Sequence, residues 1–322
     1  MRGRRADTIL FGENSIADNL VADIVDSIVI SSRDSRLSPD WRFSNCPPRR
    51  PPSHKQRRAR IGTAVMTLPR GDGGEVVSHT RVAVRVRPMT SIERDLGAGR
   101  CLNISAGKRV ACSDARTWNS EDFTFDNAWE LDETQEEVYA AVGEPALRAA
   151  WDGYDVGVMA YGQTGTGKTY TLWGDDRGGD RSRVDDIAFD HDAGLIPRIG
   201  ADLFARVERE RAGAVTGGSG TGAEVRVEMS AFEIHCELAR DLLAPVSSER
   251  DKDDRGDHDL EVSKDGHVEG LTARPIASRR QFEKFLAEAT RRRGSLSWRR
   301  SHVVVRLVLT RFPRGSGAAQ AS

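Results

Sequence analysis

From Thr80 onward the chain alternates between two hydrophobic periods, and the changes of period mark out its elements. The run TRVAVRVRP (Thr80–Pro88) is apolar at every second position and closes on a proline, which predicts a strand. FTFDNAW (Phe123–Trp129) predicts a second, short strand. Thr134–Ala150 carries helical spacing with Thr134 as N-cap and Glu136 and Glu137 in the first turn; Gly143 and Pro145 should break or kink it. GYDVGVMA (Gly153–Ala160) is a short apolar run of the kind a buried strand needs, and Lys168–Leu172 can open a helix after it. Leu195–Arg211 reads as helix, Glu224–Ile234 as strand, and ELARDLL as a turn of helix. Leu260–Val262 and His267–Leu271 suggest a hairpin, Ser278–Arg293 an amphipathic helix capped by Ser278, and His302–Thr310 a final strand. Polar spacers separate them at Asp175–Ala193, Ala212–Ala223 and Ser247–Asp259. Strands alternating with helices predict an α/β fold built on a layered sheet.

The first eighty residues have another texture. In residues 1–32, Ile16, Leu20 and Ile24, with Val21, Val25 and Ile28, follow helical spacing against an acidic face, so an amphipathic helix is expected. Residues 33–79 contain PPRRPPSHKQRRAR (Pro47–Arg60) and read as a Pro/Arg-rich disordered linker. That tract has no interleaved aromatic residues on which bases could stack, so no specific nucleic-acid partner is expected.

Composition narrows the classes. Charged residues make up 30% of the chain yet the net charge is −1, so no global affinity for polyanions follows. The four cysteines show no C-x-x-C pairing and read as reduced thiols of a cytoplasmic protein. No apolar run approaches the roughly 20 residues of a membrane span, and Asp7, Glu13 and Asp18 interrupt the N-terminal stretch where a secretory signal would need an apolar core. Sustained heptads are missing, so oligomeric state stays open.

The chemistry concentrates in AYGQTGTGKTYTL (Ala160–Leu172). Gly162, Gln163, Thr164, Gly165, Thr166, Gly167, Lys168 and Thr169 fit G-x-x-x-x-G-K-[ST]. The glycines let successive N–H groups turn toward phosphate oxygens, Lys168 supplies a mobile cation, and the Thr169 hydroxyl can ligate Mg²⁺. An apolar strand before the loop and a helix after it are the context this motif requires. No His/Cys cluster argues for a transition metal, and no N-K-x-D-type sequence for guanine.

Together these segments resemble a kinesin motor domain from about Thr80 to Thr310. VAVRVRP resembles the family's first strand, FTFDNAW and TQEEVY the strand and helix start that follow, and GYDVGVMAYGQTGTGKTYTL its phosphate-loop segment. GLIPRIGADLF, HVEGL and VEMSAFEIHCELARDLL also match, the last with His235 where tyrosine is usual. The resemblance implies a P-loop NTPase-type sheet with helices on both faces, ATP and Mg²⁺ as ligands, microtubules as partner, and a cytoskeletal location. It implies that Arg85, Arg87 and Pro88 flank the adenine, with Tyr139 beside them. Ser297, Arg300, Ser301 and His302 fall on the family's first switch, N-x-x-S-S-R-S-H, but Trp298 and Arg299 stand where two serines belong. No strand ending D-L-A-G-x-E follows Thr310; the D-x-x-G sequences at Asp175 and Asp253 lie in polar loops. In the family that strand lies between the phosphate-loop strand and the last strand seen here. A sheet incomplete at its C-terminal end, with an unpaired central slot, is therefore expected. The first functional reading is an ATP-dependent microtubule motor with weak or no turnover by this chain; the alternative is a degenerate nucleotide-binding module that does not hydrolyse.

Overall fold

The computed structural model describes residues 24–34, 62–70, 77–113, 120–131, 133–174, 192–216, 224–235, 238–245, 259–262, 268–293 and 301–312. Its elements run β1 (Ile24–Asp34), β2 (Gly62–Arg70), β3 (Val77–Arg85), α1 (Ser91–Asp95), β4 (Leu102–Ser105), β5 (Arg109–Ser113), β6 (Ser120–Thr124) and β7 (Asn127–Trp129). Next come α2 (Gln135–Val138), α3 (Glu144–Trp151), β8 (Val156–Tyr161), α4 (Lys168–Trp173), α5 (Leu195–Thr216) and β9 (Glu224–His235). The last are β10 (Leu238–Asp241), β11 (Asp259–Leu260), β12 (Arg274–Ile276), α6 (Arg279–Arg292) and β13 (His302–Phe312).

Ten strands form one sheet in the order β11-β10-β9-β13-β1-β8-β2-β3-β7, with β12 paired to β9; β4, β5 and β6 form a separate small sheet. The apolar period of 2 fixes which face is buried. Val156, Val158 and Ala160 of β8, Val303, Val305, Leu307 and Leu309 of β13, and Val225, Val227, Met229 and Ala231 of β9 share one core. Helices α2 to α6 cover it through Val138, Leu147, Leu172, Phe204 and Phe282, among others. Alternation sends the next residue of β3 the other way. Ala83 joins the main core, while Val84 packs with Leu102, Val110 and Ala128 against the small sheet. Of the two helical layers expected, the described residues thus supply one.

Five local expectations need correcting. The helical spacing of residues 1–32 gives way, where described, to strand β1. Ile28 and Ile30 also fit period 2, and open strand edges on both sides outweigh a weak helical preference. The linker expected over 33–79 contains β2, in which Ala64, Met66 and Leu68 alternate with Thr63 and Thr67. The slot expected to be empty is therefore filled. β1 lies between β8 and β13, and β2 lies between β8 and β3. In the same way ELARDLL is not a helical turn where described; Leu238–Asp241 form β10, which folds back on β9. FTFDNAW divides into β6 and β7, which belong to different sheets.

Other boundaries follow from capping chemistry. Thr134 closes a capping box with Glu137 at the start of α2. Gly143 and Pro145 do not end the helix. The chain passes through a π turn at Tyr139–Gly143, and Pro145 sits in the first turn of α3, where no N–H is needed. Ser278 caps α6 as expected. The hairpin over residues 260–271 is present as the Val262–Val268 bridge.

Helices α5 and α6 touch most closely at Gly200. A Cβ there would lie 2.1 Å from Cε1 of Phe282, which is fully buried. Gly200→Ala is expected to lower unfolding free energy by about 2 kcal/mol through overpacking, measured by urea denaturation. Phe282→Leu in the same chain should recover part of that loss.

Candidate functional site

The site is built at the end of β8. Beyond Tyr161 the backbone turns through Gly165 (φ 81°) and Gly167 (φ 96°), left-handed conformations that exclude side chains with a Cβ. Gly167 forms the N-terminal cap of α4. The space above Gly165 is open, since a Cβ there would meet nothing within 4 Å. Lys168 folds back over the loop, where Nζ donates to the carbonyls of Gly162 (2.6 Å) and Gln163 (3.2 Å). Thr166 is buried, and its hydroxyl has no hydrogen-bond partner among the described residues. Thr169 follows Lys168 in the first turn of α4 and is half-buried.

The arginines of β3 and its exit hold this loop from one side. Arg85 donates to the Gln135 side chain (2.9 Å), the Thr171 hydroxyl (3.2 Å) and the Glu133 carbonyl (3.1 Å), and stacks over Tyr170 at 5.0 Å. Burial pushes its guanidinium below the ordinary arginine value. Arg87 donates Nε to the Gly165 carbonyl (2.6 Å) and Nη1 to the Pro88 carbonyl (2.7 Å). It also grips Glu93 through two bonds of 2.8 and 2.7 Å. Glu93 is itself fixed in a capping box with Thr90 at the start of α1. Arg87 and then Thr90 hold its carboxyl far below the usual carboxylate range. A tether thus runs from the cap of α1 through Glu93 and Arg87 to the phosphate loop.

Two of these participants escape a motif search. Glu93 was legible only as the fourth residue of T-S-I-E, a capping-box spacing. Gln135, 2% exposed, accepts from Arg85 and donates to the Tyr170 carbonyl at 2.7 Å, joining α2 to α4. Nothing in the sequence marks it apart from the resemblance of TQEEVY. Tyr139 is engaged within the fold, where its hydroxyl donates to Asp202 of α5 at 2.5 Å and burial raises its pKa.

The switch candidates divide. Ser297 and Arg300 lie outside the described residues. Ser301 is buried, and its hydroxyl has no hydrogen-bond partner among the described residues; His302 opens β13, paired with Ile234. The carbonyl of Ser301 accepts from Arg293 (3.3 Å), whose Nε lies 4.0 Å from Glu233 Oε1. Glu233 is 2% exposed. Its strand is clamped between β10 and β13, and that burial makes a charged partner necessary.

Among the described residues no group of three or more His, Cys, Asp or Glu could form a protein-built metal cage. The donors at the loop fit a magnesium ion that takes one or two protein oxygens and completes its shell from phosphate and water. No described helix is long and apolar enough to cross a membrane.

The chain matches the family model described as kinesin motor domain over residues 85–321. It is similar to human kinesin-like protein KIF13B, 31% identical over 255 residues, covering 72% of this chain and 12% of that protein. It is similar also to kinesin-like protein KIN-12B of Arabidopsis thaliana, 32% identical over 286 residues, covering 86% of this chain and 20% of that protein. The chain therefore spans about an eighth to a fifth of the length of these relatives. A solved structure of a fast kinesin, described with implications for its ATPase mechanism and interactions with microtubules, superposes with a TM-score of 0.52 at 20% identity. It covers 74% of this chain and 68% of that one, and supports the fold.

Two substitutions probe the geometry. Arg87→Ala removes one charge-assisted bond to the loop and should weaken nucleotide binding about tenfold in an equilibrium titration. Because the Glu93 pKa is depressed on folding, that support is present above about pH 4.3 and is lost as pH falls through the folded value. Glu233→Ala removes the carboxylate that faces Arg293 and should cost about 3 kcal/mol in urea unfolding.

Proposed function

Because the chain belongs to the kinesin motor-domain family, we propose that it binds ATP with Mg²⁺ at the loop Gly162–Thr169 and works as the nucleotide-dependent head of a cytoplasmic, microtubule-associated motor. The observation that carries this reading is the loop itself: a strand end, two left-handed glycines, and a lysine folded over an open cradle. Backbone N–H groups of the loop bind phosphate oxygens, and Lys168 exchanges its two carbonyl partners for the outer phosphates. Thr169 would hold the metal, which when bound neutralises charge on the terminal phosphates. The Thr166 hydroxyl, in the same loop, is buried and has no hydrogen-bond partner among the described residues. Arg87 fixes the loop by its Gly165 carbonyl, so binding does not have to order it. Arg85, at the end of β3, reaches Gln135 of α2 and Thr171 of α4, and the nucleoside is expected on the side of Arg85 and Pro88; the Tyr139 hydroxyl is engaged by Asp202. Ser301, just before β13, is the described residue of the family's first switch that carries a buried hydroxyl with no hydrogen-bond partner among the described residues, and it is a candidate for the γ-phosphate side.

Phosphate release is the measurement that tests this. With purified chain, turnover of ATP should rise on adding microtubules, and Lys168→Ala should abolish both the basal and the stimulated rate. Nucleotide binding without any turnover would instead support the non-hydrolysing reading motivated by Trp298 and Arg299.

A further inference from the structure

Among the described residues the strand that ends in the phosphate loop and the strand that begins at Ser301–His302 share no backbone hydrogen bond; β1 stands between them. β1 runs antiparallel to β8 and parallel to β13. Its Ile24 is opposite Tyr161, the last residue before Gly162, and its Ser27 is opposite Val304, two residues past His302. One end of β1 therefore lies beside both halves of the site. The rows agree with the sequence. Ile28 is aligned with Val158 on one side and Val305 on the other, and Ile30 with Val156 and Leu307. All four partners belong to the main core, whereas the register partner of Ser27 on β8 is the partly exposed Met159. A one-residue slip would put Ser27 and Ser31 into the core rows, so the register is specified. Between Ile24 and Ser27 the register shifts, an irregularity that bends a strand where it meets the loop.

We propose that residues 24–34 are the coupling strand of the nucleotide site: phosphate at the loop holds β1 in the sheet, and β1 holds the loop end of β8 in line with the start of β13. This rests on the nucleotide reading above. The physical basis is that, among the described residues, β1 alone pairs with the facing edges of both neighbours. Opening it exposes two strand edges and frees Tyr161 and His302 from a common frame. A ligand that binds only the framed site must then suppress that opening by the linkage factor.

The experiment uses the full chain in two forms. In the first, Cys46, Cys101, Cys112 and Cys236 are replaced by serine, and S27C is combined with M159C. Mild oxidation should give an intrachain disulfide, read by mass spectrometry, whereas S27C with V156C should give none. In the second, unmodified chain is followed by amide hydrogen exchange with and without Mg-ADP, with affinity measured separately by equilibrium titration. Exchange over 24–34 and 302–312 should slow about a hundredfold at a free nucleotide concentration of 100 Kd, the full linkage factor. Residues 102–113 of the separate small sheet should slow far less. The proposal is overturned if the 27–159 disulfide does not form, or if residues 24–34 slow no more than residues 102–113. A chain that forms the disulfide but binds no nucleotide overturns the nucleotide reading, and the coupling with it. A chain that forms the disulfide and binds nucleotide without slowing β1 overturns the coupling alone.

Discussion

A strand in the middle of a sheet needs hydrogen-bond partners on both edges, and the phosphate-loop strand β8 is in the middle. Each N–H or C=O left without a partner in a buried sheet costs on the order of 1–3 kcal/mol. Most of the architecture answers to that requirement. β1 and β2 supply the two edges, β3 and β13 then find their own places beyond them, and the helices cover the apolar face so formed. The loop has a fixed point of departure because Val156, Val158 and Ala160 are locked into the core beneath it. The geometry of the loop is inherited from the sheet, and the residues around it only refine it.

The refinement is itself a network of ordinary parts. A helix cap fixes a glutamate, the glutamate orients an arginine, and the arginine takes hold of one loop carbonyl. Gln135 does similar work on the opposite side through Arg85 and Tyr170. Neither residue touches the phosphate pattern, yet together they connect β3, α2 and α4 around it. The Glu233–Arg293 pair plays the corresponding part at the other strand end, where a buried carboxylate keeps the approach to Ser301 in place.

Much of this was legible from residue order where a local rule governs. Alternation located β3, β9 and β13; capping residues located the starts of α2 and α6; glycine spacing located the loop. Local rules failed where pairing at a distance decides. Ile24 and Ile28 fit both a helical and an extended period, and only the edges of β8 and β13 choose between them. ELARDLL carries good helix formers, but its neighbour β9 offers an open edge, so Leu238–Asp241 becomes a strand and Asp241 turns to accept from Leu243 and Thr272. The Glu93 tether could have been read from its capping box; the burial of Glu233 could not, because nothing in its own surroundings along the chain shows that β10 and β13 enclose it.

The pairing of β1 with β13 also has a meaning for the history of each molecule. About 270 residues separate the two strands along the chain. At a synthesis rate of roughly 5–20 residues per second, β1 emerges from the ribosome some 15–55 seconds before its parallel neighbour exists. During that interval IVDSIVIS can pair with β8 once that strand has been made, but its other edge stays open, a template for pairing with another chain. The strand that joins β8 to β13 is thus made long before its second partner, and the frame beneath the loop is not complete until the chain has been read almost to Phe312.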